Sequence, residues 1–391
     1  MSDLAVAASA PTAMAPGNVP GDLLVRAGQV TALRLFDVAY AVDLKRAETL
    51  WAARAARAGE RRGLTGTPPK AMAFGEPPLT LRLPPVPLAL PGGDAEAQVT
   101  ARVYDFGVVS LALTLPVADL PWSAFTVRVN RLQQAVGPGA AAGDLWRGLL
   151  EAVRAPLREA LERPTGRVLE EDYLLAVVNR LEEPLPAEAL AECVDLVPLL
   201  SGETRPLSAG ARAELLRQRF SYYADDLVVL TWDRAFVYEP RQETDVLDVL
   251  EVANAQLLEM RFYDELLDEE LPRIYDLVEA ARRAPTLLSA RRYARLARRL
   301  HGLVAEVTEL TERVDNALQV TEDVYLARVY AAAMALFRVP VVSAAVDRKL
   351  QTVRETYQAL YDEASSSRAE LLEIAILLLI ALEIVLSLVR H

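Results

Sequence analysis

The sequence has few of the residues that most often carry chemistry. It holds one cysteine, Cys193, which excludes an intramolecular disulfide and a cysteine-cluster zinc site. Its two histidines, His301 and His391, leave little for imidazole acid–base or metal chemistry. Lysine occurs only at 45, 70 and 349, never after glycine, so there is no Walker A loop. HExxH and GxSxG are absent, and Gly137-Pro138-Gly139 with Gly143 reads as a loop rather than a dinucleotide fingerprint. Asp225, Asp226 and Asp233 flank a strand and could form a carboxylate site, but turn and cap roles explain them more simply. Cys193 reads as a small packed hydrophobe. No catalytic residue, metal ligand or cofactor is assigned. With 42 Lys+Arg against 54 Asp+Glu, the net charge of −12 disfavours a general nucleic-acid binder, and no specific nucleic acid is expected.

Apolar residues are plentiful, at 52% of 391. The longest run is LLEIAILLLIALEIVLSLV, residues Leu371 to Val389. At about 1.5 Å per residue it spans roughly 28 Å, close to the hydrocarbon thickness of a bilayer. Leu371, Ile376, Leu379, Ile380, Leu386 and Val389 belong to its fourteen Leu, Ile and Val residues. These contribute roughly −7 kcal/mol to insertion, opposed by at most about 3 kcal/mol each from Glu373 and Glu383. The run is expected to be a transmembrane helix rather than a buried core helix. Only two residues follow it, and MSDLAVAASAPTAMAPG has neither a basic n-region nor a sustained apolar core. The expectation is a tail-anchored, single-pass protein with a cytoplasmic N-terminal side, in agreement with Arg348, Lys349, Arg354 and Arg368 before the span.

The expected fold class is α+β. Residues 1–21 are Ala/Pro/Gly-rich and expected to be disordered. Residues 22–240 read as a mixed α/β cytoplasmic domain, with strands at Val30–Val38, Ala101–Leu115 and Tyr173–Arg180. A hairpin is expected at Leu227–Leu230 and Ala235–Tyr238, and helices at Leu44–Ala58, Asp144–Glu162 and Ala211–Phe220. Residues 67–91 carry eight prolines and read as a surface insertion or linker. Residues 241–370 show no strand signal. Apolar residues there recur on a 4–3 spacing: Val246, Leu250, Ala253, Leu257, Met260; Leu296, Leu300, Leu303, Val307; Val346, Leu350, Val353, Tyr357, Leu360. This predicts an all-helical antiparallel coiled-coil stalk leading into the 371–389 transmembrane helix. Arg291, Arg295, Arg298 and Arg299 are candidate contacts for phosphates or lipid headgroups. The favoured alternative is intramolecular: a turn near Pro285 sets Arg298 and Arg299 opposite Glu269–Leu271. The acidic residues Asp264, Glu265, Asp268, Glu269 and Glu270 read as a solvated helix face rather than a cation site.

DVLDVLEVANAQLLEMRFYDELLDEELPRIYD (Asp245–Asp276) resembles the "required for meiotic nuclear division" or YagE-like family. So do VDNALQVTEDVYLARVYAAAMALFRV (Val314–Val339), RAELLEIAILLLIALEIVLSL (Arg368–Leu388), SYYADDLVVLTWDRAFVYEP (Ser221–Pro240) and YDFGVVS (Tyr104–Ser110). Trp232, Glu251, Asn254, Leu258, Arg261, Tyr263, Asp264, Asp323 and Glu373 carry the likeness, which covers roughly Val99 to the end. The resemblance implies an inner-membrane protein that holds the translation machinery near the membrane, and it brings no catalytic residues. The excess of Arg over Lys fits a bacterial source and the bacterial cytoplasmic membrane. The expected function is therefore a membrane scaffold or tether with the bilayer, a second copy of the chain, and an unidentified cytoplasmic protein or the ribosome as partners. The alternative is an oligomeric transport or channel-like protein laid out like CorA-type magnesium channels, with Glu383 near the pore. Those channels have two spans and a Gly-Met-Asn loop, and this sequence has neither.

Overall fold

A computed structural model describes residues 22–58, 72–73, 77–140, 142–166, 168–282, 293–302, 304–305, 307–308, 319–320 and 323–390. Its centre is an eight-stranded sheet in the order β4-β5-β6-β1-β8-β11-β10-β9. The strands are β1 (Leu24–Asp37), β4 (Leu79–Leu90), β5 (Gly93–Val103), β6 (Val108–Pro121), β8 (Glu170–Leu181), β9 (Arg219–Phe220), β10 (Leu227–Leu230) and β11 (Arg234–Tyr238). All neighbours run antiparallel except β8 and β11. Two small pairs stand apart: β2 (Ala39–Val42) with β7 (Leu161–Pro164), and β3 (Met72–Ala73) with β12 (Gln319–Val320).

Strand alternation gives the sheet two buried faces. Val30, Ala32 and Phe36 of β1 point into one core, under α1 (Leu44–Ala58), α2 (Trp122–Val136), α3 (Gly143–Leu157) and the short helices α4 (Ala187–Cys193), α5 (Val197–Ser201) and α6 (Ala209–Leu215). Leu33 and Leu35 point into the other. That second core is closed by α7 (Asp245–Arg282), α8 (residues 293–302), α9 (Val324–Leu336) and α10 (Val339–Arg390). The protein is thus a mixed α/β sheet region followed by a helical region, with the sheet sandwiched between two helical layers.

Three expectations change on this architecture. The proline-rich stretch is not an insertion throughout, because residues 79–90 are the edge strand β4. Its register with β5 slips between Leu83 and Val86, so Pro84 and Pro85 sit in a bulge at an edge where missing N–H donors cost least. The boundary at Pro240 does not divide two cores. Asp248 to Met260 is buried without interruption, because α7 lies across the sheet rather than rising from it. Beyond Met260 the buried face of α7 narrows, and Tyr263, Leu267 and Ile274 are buried between more exposed neighbours. Residues 241–370 also contain a strand, β12. Smaller shifts occur where Asp144–Glu162 and Ala211–Phe220 each end in short strands, β7 and β9.

Among the described residues no single helix is long and apolar enough to cross a membrane. The pair Val324–Leu336 and Val339–Glu363, bent by 63°, meets length and composition criteria together. Val329, Ala333, Val346 and Leu350 of that pair are buried in the second core. Helix α10 continues to Arg390, and along the expected span Ile376, Leu379, Ile380 and Glu383 are exposed. The side chains of Leu371, Leu386 and Val389 lie outside the described residues.

Gly107 closes the β5–β6 turn at φ +96°, and a Cβ there would lie 1.7 Å from the Ala39 carbonyl oxygen. Gly148 in α3 has nothing within 4 Å of such an atom. Gly107→Ala is therefore expected to unfold the protein or lower its urea midpoint sharply. Gly148→Ala is expected to raise stability by about 0.5–1 kcal/mol. Equal midpoints for the two variants would contradict this geometry.

Candidate functional site

A polar buried region lies where the first turns of α7 cross the sheet. The face of β1, β5 and β6 that points at α7 is apolar at one end, with Leu33, Leu35 and Val108. Two residues further along each strand it becomes polar, with Thr31 and Gln29, Ser110 and Thr114, and Arg102 and Thr100 lining one cavity. The period of two along a strand keeps all of these on one side. Thr244, Leu247, Asp248 and Glu251 of the helix start close the cavity, whose volume is about 170 Å³.

Arg102 Nη1 donates to Glu251 Oε2 at 2.7 Å and lies 2.7 Å from Asp248 Oδ1. The Tyr104 hydroxyl donates to Glu251 Oε1 at 3.1 Å, and Thr244 Oγ1 donates to Asp248 Oδ2 at 3.3 Å. The charge of Glu251 raises the Arg102 pKa, overcoming the effect of burial. Burial raises the Asp248 pKa, and Arg102 opposes that rise. Two carboxylates share one guanidinium, so the cluster carries −1 when both are ionised. Asp248 Oδ1 is ion-paired without an aligned hydrogen bond. The buried Ser110 Oγ has no hydrogen-bond partner among the described residues.

Three turns along α7, Glu259 is buried with Tyr263, and its pKa is pushed far up, by burial first and by Asp37 second. Asp37, at the end of β1, is raised to about 7 by burial, and its Oδ2 has no partner among the described residues. Between these two groups, Asn254 Nδ2 donates to Leu250 O at 2.8 Å and Gln256 bonds the Tyr330 hydroxyl.

The positions on which the sequence resemblance rests divide between these networks and ordinary structural roles. Glu251, Asn254, Leu258 and Tyr263 are buried on α7. Arg261 pairs with Glu171. Asp264 accepts from Lys349 Nζ at 2.5 Å and so ties α7 to α10, while Asp268 lies 2.7 Å from the same nitrogen. Asp323 caps α9 by accepting from Tyr325 N and Leu326 N. Trp232 is exposed and packs edge-on against Phe337, and Glu373 is exposed on α10.

Arg299 Nη2 donates to Glu270 Oε2 at 3.1 Å, an intramolecular pairing, while the expected turn near Pro285 lies outside the described residues. Arg298 bonds its own helix at the Ala294 carbonyl, and Arg295 is exposed. Arg291 lies outside the described residues. Asp226 Oδ1 accepts from Tyr222 N, Tyr223 N and Ser221 Oγ, which is a loop-capping role. Asp233 is half-buried and ion-pairs Arg234 Nε at 3.4 Å. Cys193 is exposed at the end of α4, not packed, because the helix turns it away from the core. Among the described residues no three or more His, Cys, Asp or Glu side chains are grouped to hold a metal ion. Sequence reading missed Arg102, Asp248, Ser110 and Asp37 as site residues. Carboxylates at positions that a heptad pattern leaves outward were the available signal.

Residues 27–245 match the family described as "Uncharacterized protein MJ0711, N-terminal domain", and the chain belongs to that family. The match spans the sheet and ends at the first residue of α7. The uncharacterized protein MJ0711 of Methanocaldococcus jannaschii is 24% identical over 178 residues, covering 45% of this chain and 53% of that protein. The chain thus matches about half the length of this curated relative. No solved structure matches.

Arg102→Met leaves two buried carboxylates without their cation and is expected to cost about 3–5 kcal/mol near neutral pH. The cost should shrink as pH falls, because protonation removes the uncompensated charge. Urea unfolding of both proteins across pH checks this. Asp37 adds a second pH effect. Its folded pKa lies above its ordinary value of 3.8, so the stabilisation from its bound proton is complete below that value and is lost as pH rises through about 7. Asp37→Asn should therefore gain stability relative to the native protein at alkaline pH and gain little in acid. A gain from Asp37→Asn that does not vary with pH would contradict this assignment.

Proposed function

We propose that this chain is a membrane-anchored scaffold that carries its sheet region on the cytoplasmic face of a bilayer and presents it to a partner. The observation that carries the reading is the end of α10. This helix is packed where Val346, Leu350, Val353 and Leu360 are buried. Further along, five consecutive residues are exposed: Ile376 (54%), Leu377 (65%), Leu378 (65%), Leu379 (64%) and Ile380 (47%), followed by Leu382 (54%). Five consecutive helical positions cover the whole circumference. A helix that is apolar all round is stable when buried in protein or lipid. Lipid is favoured because the apolar run continues in sequence from Leu371 to Val389 with Glu373 near one end.

The lower part of α10 supports a stalk-like role. The His301 ring lies against Tyr357 and Arg354 donates to Thr308, so the 301–308 segment lies antiparallel beside α10. The likeness of the helical region to the YagE-like family favours the translation machinery as the presented partner, and the bacterial cytoplasmic membrane as the location. The exposed helix end also fits self-association, since Glu383 within a bilayer gains from protein neighbours.

Carbonate extraction of cells expressing the full chain tests the anchor. The native protein is expected in the membrane pellet, and a variant lacking residues 371–391 in the supernatant. Native protein found in the carbonate supernatant would end the proposal. Co-sedimentation with ribosomes then tests the partner in the membrane-bound form.

A further inference from the structure

We propose that the cavity between the β1–β5–β6 face and the start of α7 is a binding site for a small organic monocation, a compound bearing one primary ammonium or guanidinium group. The argument begins with charge. Arg102, Asp248 and Glu251 are the charged residues lining the cavity, and with both carboxylates ionised they sum to −1. A buried uncompensated charge is costly, and a cation of one unit removes it. An anion would meet both carboxylates. A divalent metal ion would need more than two carboxylates that already share Arg102.

Hydrogen-bonding capacity points the same way. Thr31, Thr100, Ser110, Thr114 and Thr244 line the cavity with hydroxyl oxygens. Thr31 and Thr114 satisfy each other at 3.0 Å, and Thr244 is engaged with Asp248. Ser110 Oγ is different: its residue is only 2% exposed, and the oxygen has no partner among the described residues. An unpaired buried hydroxyl costs about 1–3 kcal/mol. Alanine, the residue at the next position on the same face of β6 (Ala112), would serve packing equally well there. A ligand N–H donor directed at Ser110 Oγ removes the penalty, and Asp248 Oδ1 can accept from the same group. The cavity is open to solvent on one side, and its volume of about 170 Å³ admits the head group of a short alkylammonium or alkylguanidinium.

The test is isothermal titration of the purified full chain in detergent with propylammonium chloride and with methylguanidinium chloride. Sodium acetate and potassium chloride serve as the anion and alkali-ion arms. Saturable binding of one molecule of at least one organic cation is expected, with none of acetate. Ser110→Ala should weaken binding several-fold and Asp248→Asn by about tenfold or more, as expected for lost charge-assisted bonds. Both variants should retain the native circular dichroism. The conservative Ser110→Thr, which keeps the hydroxyl, should stay closer to native than Ser110→Ala. Absence of saturable heat with both organic cations overturns the proposal. So does binding unaltered by Ser110→Ala and Asp248→Asn, and so does potassium binding as tightly as either organic cation.

Discussion

The burial of Asp248 to Met260 of α7, without an exposed residue among them, is the constraint from which the rest of the structure follows. A helix in that position must be apolar around its circumference or must bring a partner for each polar group. This one is mixed. Leu250, Ala253, Leu257 and Leu258 supply the packing, while Asp248, Glu251, Asn254, Gln256 and Glu259 interrupt it. Three of these are answered locally: Arg102 and Tyr104 meet Glu251, Asn254 donates to a carbonyl of the preceding turn, and Tyr330 of α9 donates to Gln256. These answers fix the rotation of α7 about its axis. Turning the helix by one residue would carry Glu251 away from Arg102 and set an apolar side chain against the guanidinium.

Much of the sheet was legible because its local signals are strong. Leu44–Ala58 as a helix and Leu227–Leu230 with Arg234–Tyr238 as a hairpin occur where composition and turn residues place them. Gly107 divides β5 from β6 as a glycine in a β-branched run should. The proline-rich stretch was misleading, since residues such as Pro84 and Pro85 oppose a central strand but are tolerated at an edge. Which strand lies at an edge is a property of the whole sheet, set by pairings such as β1 with β8 across more than a hundred residues. Nothing in residues 79–90 alone reports it.

The candidate site was hidden for a related reason. The heptad positions Val246, Leu250, Ala253, Leu257 and Met260 are buried, as their spacing implies, yet the positions between them are buried as well. A 4–3 repeat is compatible with a narrow seam or with one side of a fully covered helix. The deciding partner is the sheet face formed by β1, β5 and β6, whose register sets Arg102 opposite Ser110 and Thr31 opposite Thr114. Asp248 and Glu251 then read as outward-facing acids in the sequence, and only the fold makes them inward. Arg299 and Glu270 were easier, because opposite charge blocks at matching distances from Pro285 in the sequence signal pairing whatever the helices pack on.

One helix also connects the regions. The start of α7 lines the polar cavity, its middle covers the sheet, and further along Asp264 and Asp268 hold Lys349 of α10. Helix α10 in turn carries the exposed apolar segment at its far end. A group bound beside Asp248 and Glu251 stabilises the docked position of α7 by its own binding free energy, which grows as RT ln(1 + [L]/Kd). It acts on the tail only if the docked and undocked positions of α7 differ in affinity for it.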